Sequence, residues 1–253
     1  MTETPIVCGI LNSTPDSFYD GGKYNNLIDR AHQLVELGAD WIDIGGESTR
    51  PGAELISAQE EIDRVIPIIE SLNGIIPISI DTTKGEVALA ARRAGATILN
   101  DVRGFQDEDM QVASEQFPIS IVMHSRGRPQ NMQHHTAYND VVNDVKQWLL
   151  NQVSLCRSST IIIDPGIGFA KTVQQNIQLL KNLRTFTVLP YPVMLGTSRK
   201  SFIGKVLDSP SADDRLGGSL ATVADGLQKG ARVFRVHDVK ETKDMLTMLT
   251  AIH

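Results

Sequence analysis

The chain has 253 residues, 41% of them hydrophobic and 21% charged, enough apolar material for one large buried core. Its net charge of −6 argues against a broad basic face for nucleic acid or anionic membranes, so any anion site has to be local. No stretch is long enough to span a bilayer, and the N-terminal MTETPIVCGIL has no basic leader. Cys8 and Cys156 fall in no paired or metal-binding spacing, so a cytoplasmic chain with reduced thiols is expected.

In chain order, short β-branched runs alternate with amphipathic segments. The first run, Ile6 to Leu11, precedes a stretch without periodicity and then a helix from Leu27 to Leu37. Trp41 to Ile44 leads to a helix over Ala58 to Ile69, and Pro77 to Ile80 leads to one over Glu86 to Ala94. Two runs follow, Thr97 to Leu99 and Ile119 to Met123, before a helix over Val141 to Val153. Thr160 to Ile163 precedes Val173 to Leu183, and Pro192 to Leu195 precedes Ala212 to Leu227. Arg232 to Val236 and a helix over Val239 to Leu249 end the series. Three helices end in Gly-Ala before the next strand, at Gly38, Gly95 and Gly230, where glycine accepts the left-handed turn that closes a helix. About eight such units in one chain, with no composition shift, predict a single (β/α)8 TIM barrel over residues 1–253. A doubly wound sheet is the alternative, because alternation alone does not say whether the sheet closes.

Each run ends on a polar group or a glycine turn. These are Asn12, Asp43 with Gly45-Gly46-Glu47, Asp81, Asn100-Asp101, His124, Asp164, Gly196 with Ser198-Arg199-Lys200, and Arg235 with His237. In a barrel those ends converge on one mouth, where active sites lie. Asp81, Asn100 and Asp164 offer acceptors, or a mixed amide edge, for a heterocycle rich in N–H donors. Lys200, Arg235, His237 and Arg50 offer an anion site on the other side. An isolated buried carboxylate is costly, so a ligand with matching donors is its natural partner.

Eight stretches resemble the dihydropteroate synthase family, in that family's order: GILNSTPDSFYDGG, DIGGESTRPGA, SIDT, LNDVRG, MHSRGRPQNMQ, DPGIGFAK, GTSRKSFIG and RVHD. The resemblance runs from Gly9 to the C-terminus. It implies a barrel that condenses hydroxymethyl-dihydropterin pyrophosphate with p-aminobenzoate and releases pyrophosphate. It also implies a pterin held by Asp81, Asn100, Asp164 and Lys200 against Phe169. Pyrophosphate would lie near Asn12, Arg235 and His237, with Mg²⁺ shared between its oxygens and Asn12. Thr49 and Arg50 would belong to a mobile second loop. Phe18 and Pro51 would flank the aminobenzoate ring, and Ser201 would approach its carboxylate at the start of a helix. The family's barrels commonly pair, so a homodimer is expected.

Two departures stand out. The connection from Asn151 to Thr160 is short for the family, and Ser13 occupies a position that is usually apolar. Two rival readings are a pterin-binding methyltransferase barrel, which has no use for the SRK and RVHD groups, and a non-catalytic pterin-binding module, which would not need them.

Overall fold

The β-branched runs carry apolar residues at successive positions, the composition of strands covered on both faces. The computed structural model describes residues 4–13, 23–48, 52–209 and 211–252. Its strands are β1 (Ile6–Asn12), β2 (Trp41–Gly45), β3 (Ile78–Asp81), β4 (Ile98–Asp101), β5 (Ile119–Met123), β6 (Thr160–Asp164), β7 (Met194–Leu195) and β8 (Val233–Val236). They form one sheet in the order β6-β5-β4-β3-β2-β1-β8-β7, and every pair is parallel. The two ends of that order meet where Ile163 bridges Val193 in parallel and Ile163 N donates to Pro192 O at 2.9 Å. The sheet is therefore a barrel, and the doubly wound alternative is set aside.

The helices are α1 (Lys23–Glu36), α2 (Ala58–Leu72), α3 (Gly85–Ala94), α4 (Glu108–Ser114), α5 (Val141–Val153), α6 (Val173–Lys181), α7 (Arg184–Thr187), α8 (Ser201–Leu207), α9 (Leu216–Gln228) and α10 (Val239–Ile252). Local chemistry starts several of them. Asp140 accepts the N–H groups of Val142 and Asn143 at α5, and Thr172 forms a reciprocal capping box with Gln175 at α6. The predicted joints hold: Gly38, Gly95 and Gly230 take φ of 94°, 125° and 101°. Helices α4, α7 and α8 are too short to show a 3.6-residue period, which is why the sequence pattern does not reveal them. The helix expected from Ala212 opens instead as a 3-10 turn, Asp213–Arg215, and α9 begins at Leu216. Arg199 Nη1 holds Asp213 at 2.6 Å, which fixes that turn.

Alternation along the strands sorts the core into two layers. Val7, Ile42, Ile44, Ile80, Leu99, Val122, Ile163 and Phe234 pack outward against the helices. Cys8, Trp41, Ile98, Ile121, Ile162, Met194 and Val233 fill the barrel interior as a separate apolar plug. Two residues further along the same interior columns come Ile10, Asp43, Asn100, Met123, Asp164 and Arg235. The plug is thus the base on which a polar layer stands.

Candidate active site at the C-terminal ends of the strands

A cleft of about 550 Å³ opens over the polar layer, reached by Asn12, Asp81, Asn100, Asp164, Phe169, Lys200, Ser201, Arg235 and His237. The residues expected to bind substrate or pyrophosphate, within the described residues, therefore meet in one place. Phe18, Thr49, Arg50 and Pro51 lie outside the described residues.

Asp164 ends β6 and is almost fully buried. Its Oδ1 accepts the Gly166 N–H at 2.7 Å, which turns the chain away at once. Burial raises its pKa, and Lys200 opposes the rise. The turn requires glycine: Gly166 has φ +67°, and a Cβ there would lie 1.8 Å from the carbonyl oxygen of His124. Beyond it, Phe169 stands beneath the Lys200 ammonium, whose Nζ is 4.7 Å from the ring centroid and also donates to Ile167 O. Burial lowers the Lys200 pKa to about 8.

Arg235 departs from the expected separation of acceptor and cation faces. Its Nε donates to Asp43 Oδ2 at 2.6 Å and its Nη2 to Asp81 Oδ2 at 2.9 Å, so it is interlocked with the acceptors. Two carboxylates share one guanidinium in a buried setting. Burial, followed by the charge of Asp43, raises the Asp81 pKa to about 8 despite that pairing. Asn100 donates Nδ2 to Asp43 Oδ2 at 3.2 Å. Asp81 Oδ1 and Asn100 Oδ1 are left buried without a hydrogen-bond partner. Buried acceptors of this kind call for donors from a ligand or ordered water. The mixed amide edge resolves to an NH₂ held by Asp43 and an unpartnered oxygen acceptor.

On the rim, the His237 backbone N–H donates to Ser198 Oγ at 3.1 Å, and its Nδ1 lies 3.1 Å from the same oxygen. Ser201 is the exposed first residue of α8, but a helix of seven residues offers little dipole to an anion. Asn12 ends β1 beside Gly45. Among the described residues no group of three or more His, Cys, Asp or Glu could hold a metal ion; Asn12 carries a single amide oxygen at the cleft. That donor suits an ion whose other ligands are water and substrate oxygens.

Three expectations need correction. His124 does not face the mouth: one step past inward-facing Met123, it points outward, stacks edge-on with Trp148 and places Nδ1 2.9 Å from Lys171 Nζ. Arg199 is no free cation, because Asp238 takes its Nε and Nη2 at 3.0 and 2.5 Å and Asp213 takes its Nη1. Asp43 is not a strand ending but a fully buried interior group. Asp101, named with Asn100 as a strand ending, faces away from the mouth: it accepts the N–H groups of Arg103 and Phe105 at 2.8 and 2.7 Å and shapes the loop after β4. Its place directly after Asn100, on the opposite face, was the available signal. Ser13 proves harmless, since its hydroxyl is buried and donates to Arg64 O at 3.3 Å.

A parallel eight-stranded barrel whose mouth combines buried carboxylate acceptors with lysine and arginine belongs among enzymes that bind polar heterocycles at strand C-termini. Residues 8–237 match the family model described as pterin binding enzyme. The dihydropteroate synthase of Synechocystis sp. is 48% identical over 97% of this chain and 89% of its own length. The structure of Xanthomonas albilineans dihydropteroate synthase with 4-aminobenzoic acid superposes with TM-score 0.91 at 38% identity, covering 100% of this chain and 95% of that one. The same organism's enzyme in complex with 7,8-dihydropteroate gives TM-score 0.89 at 36% identity, with coverage of 100% and 95%. The chain belongs to the dihydropteroate synthase family of pterin-binding enzymes.

Proposed function

We propose that the chain joins hydroxymethyl-dihydropterin pyrophosphate to p-aminobenzoate, forming dihydropteroate for folate biosynthesis and releasing pyrophosphate. The observation that carries this reading is the pair of buried, partnerless acceptors, Asp81 Oδ1 and Asn100 Oδ1, on residues that line the same cleft as Asp164, Lys200 and Arg235. A pterin's aminopyrimidine edge brings adjacent N–H donors to these acceptors, and Asp164 takes two of them at once. Lys200 donates to the ring's oxo and nitrogen acceptors, and Phe169 forms an apolar wall. The ligands of the two Xanthomonas complexes support both halves of the reaction.

The reaction is a displacement in which the bond to pyrophosphate breaks ahead of attack, with positive charge spread into the electron-rich pterin. The protein's work is to hold the arylamine in line and neutralise the leaving group. Arg235 and His237 serve the departing oxygens, with Asn12 beside them. Mg²⁺, where bound, would be held by Asn12 together with substrate oxygens and water, and would neutralise charge on the pyrophosphate. The p-aminobenzoate carboxylate lies towards Ser201. Phe18, Thr49, Arg50 and Pro51 complete that end in this reading, on the strength of the family resemblance.

A homodimer fits this reading: α8 exposes Val206 and Leu207, and α10 exposes Met248 and Ile252, giving a second copy apolar surface to bury. Sedimentation at micromolar concentration tests it. A cytoplasmic location is supported by two free cysteines, and no helix among the described residues is long and apolar enough to cross a membrane. The enzymatic proposal is tested by pyrophosphate release from the pterin ester with and without p-aminobenzoate. Release that depends on p-aminobenzoate supports it. Release without the amine, or none with it, contradicts it.

A further inference from the structure

The carboxylate of Asp43 touches both ends of the cleft without lining it. It is fully buried in β2, in the interior column between Trp41 and Gly45. Its Oδ2 accepts from Arg235 Nε at 2.6 Å and from Asn100 Nδ2 at 3.2 Å. Nothing in the packing asks for a carboxylate here. The plug beneath it, to which Trp41 and Ile98 belong, is apolar, and the inward-facing Ser79 opposite it on β3 makes no hydrogen bond to it. A buried charge is retained at considerable desolvation cost, which argues for a task.

That task follows from the shape of its neighbours. An amide side chain presents an oxygen and an NH₂ of nearly equal size, so packing alone does not choose which faces the ligand. An ionised carboxylate only accepts, so it binds the NH₂ and turns the oxygen away. Asn100 Oδ1 is the orphaned acceptor that results. The same carboxylate also fixes the Arg235 fork. With Nε on Asp43 and Nη2 on Asp81, Nη1 is the guanidinium nitrogen with no hydrogen bond among the described residues.

We propose that Asp43 is a positioning residue that sets the polarity of both neighbours, presenting Asn100 as an acceptor to the pterin and aiming Arg235 at the leaving pyrophosphate. This rests on the dihydropteroate synthase reading. It acts on substrate only through those two side chains.

Asp43→Asn replaces the pure acceptor with a group that has one oxygen and one NH₂. If its oxygen keeps Arg235, its NH₂ meets Asn100 and favours the reversed amide, which sets N–H groups against the pterin's own donors. The test is a double-mutant cycle read by calorimetric titration with 6-hydroxymethylpterin, which has no pyrophosphate, alongside p-aminobenzoate-dependent turnover. Asp43→Asn should weaken pterin binding about tenfold or more in the wild-type background, the scale of leaving a buried donor without its acceptor. In an Asn100→Ala background, where Arg235 keeps its Asp43 partner, the same substitution should change pterin affinity by about twofold or less. Turnover should still fall in that background, through Arg235. An equal loss of pterin affinity in both backgrounds means that Asp43 acts through packing, and overturns the proposal.

Asp43→Ser, which keeps an acceptor and sheds the charge, carries the same cycle if the amide variant does not fold. A crystal structure of the wild-type protein with 6-hydroxymethylpterin is an independent check. Asp43 should stay within hydrogen-bond distance of both Arg235 Nε and Asn100 Nδ2, and loss of either contact overturns the proposal. A wild-type protein that neither binds the pterin nor releases pyrophosphate sinks the functional reading itself. In one that does both, the cycle tests Asp43 alone.

Discussion

Lys171 Nζ sits 2.9 Å from each of three partners, His124 Nδ1, Gly166 O and Phe169 O, in a pocket behind the barrel wall. It is 4% exposed, and burial pushes both its pKa and that of His124 well below their ordinary values. The three contacts exhaust its hydrogen-bonding capacity. They bind the loop carrying Phe169 to the end of β5, so a residue outside the cleft holds one of its walls.

Lys171→Met should therefore destabilise the protein by about 2–4 kcal/mol, because two buried carbonyls and an imidazole nitrogen lose their partner. Denaturant unfolding measures this. Pterin affinity should fall as well, through a loosened Phe169. A variant with wild-type stability would show that these carbonyls find water or other donors.

Asp81 gives a pH dependence. Its pKa is raised from 3.8 to about 8 in the folded protein, so the stability it contributes is fully present below 3.8 and is lost as pH rises through about 8. Asp81→Asn removes this loss. The variant should gain on the wild type steadily as pH rises from about 4 to about 8.5, just above that folded-state pKa. A constant difference in Tm across that range would place the Asp81 pKa at its ordinary value.

Arg235→Lys keeps a positive charge but loses the planar fork that reaches Asp43 and Asp81 together. Turnover with the pyrophosphate ester should fall by about a hundredfold or more, because charge on the leaving group develops in the transition state. Binding of a pterin without pyrophosphate should weaken much less. Parallel losses in turnover and in free-pterin affinity would make Arg235 a structural residue.

Much of this site is legible in the strand endings, because a polar residue directly after a β-branched run marks where a buried strand reaches the barrel mouth. Asp81, Asn100 and Asp164 follow that rule. What the run pattern does not show is parity: His124 ends its run as Asp164 does, yet it follows Met123 by one step and so faces the helices. Asp43 reads as part of the turn after it, although it lies two residues before Gly45 on the inward face. The partner of Arg199 is also hidden, since Asp238 is 39 residues away and only the barrel brings the two together. Face and long-range partner depend on closure, which no single run encodes.

The cleft floor is where substrate recognition is decided, and Asp164 tests it most directly. Asp164→Asn keeps the side chain's shape but sets an NH₂ against the pterin's own donors. Breaking one side of a buried, charged hydrogen-bond pair costs about 2–5 kcal/mol. Calorimetric titration with 6-hydroxymethylpterin should then show affinity reduced about thirty-fold to a few thousand-fold. A thermal melt should show a folded variant, because burial already disfavours the charge in the empty site. Near-wild-type pterin affinity in a folded Asp164→Asn protein would reduce this carboxylate to a cap on the Gly166 turn and contradict its role in holding the pterin.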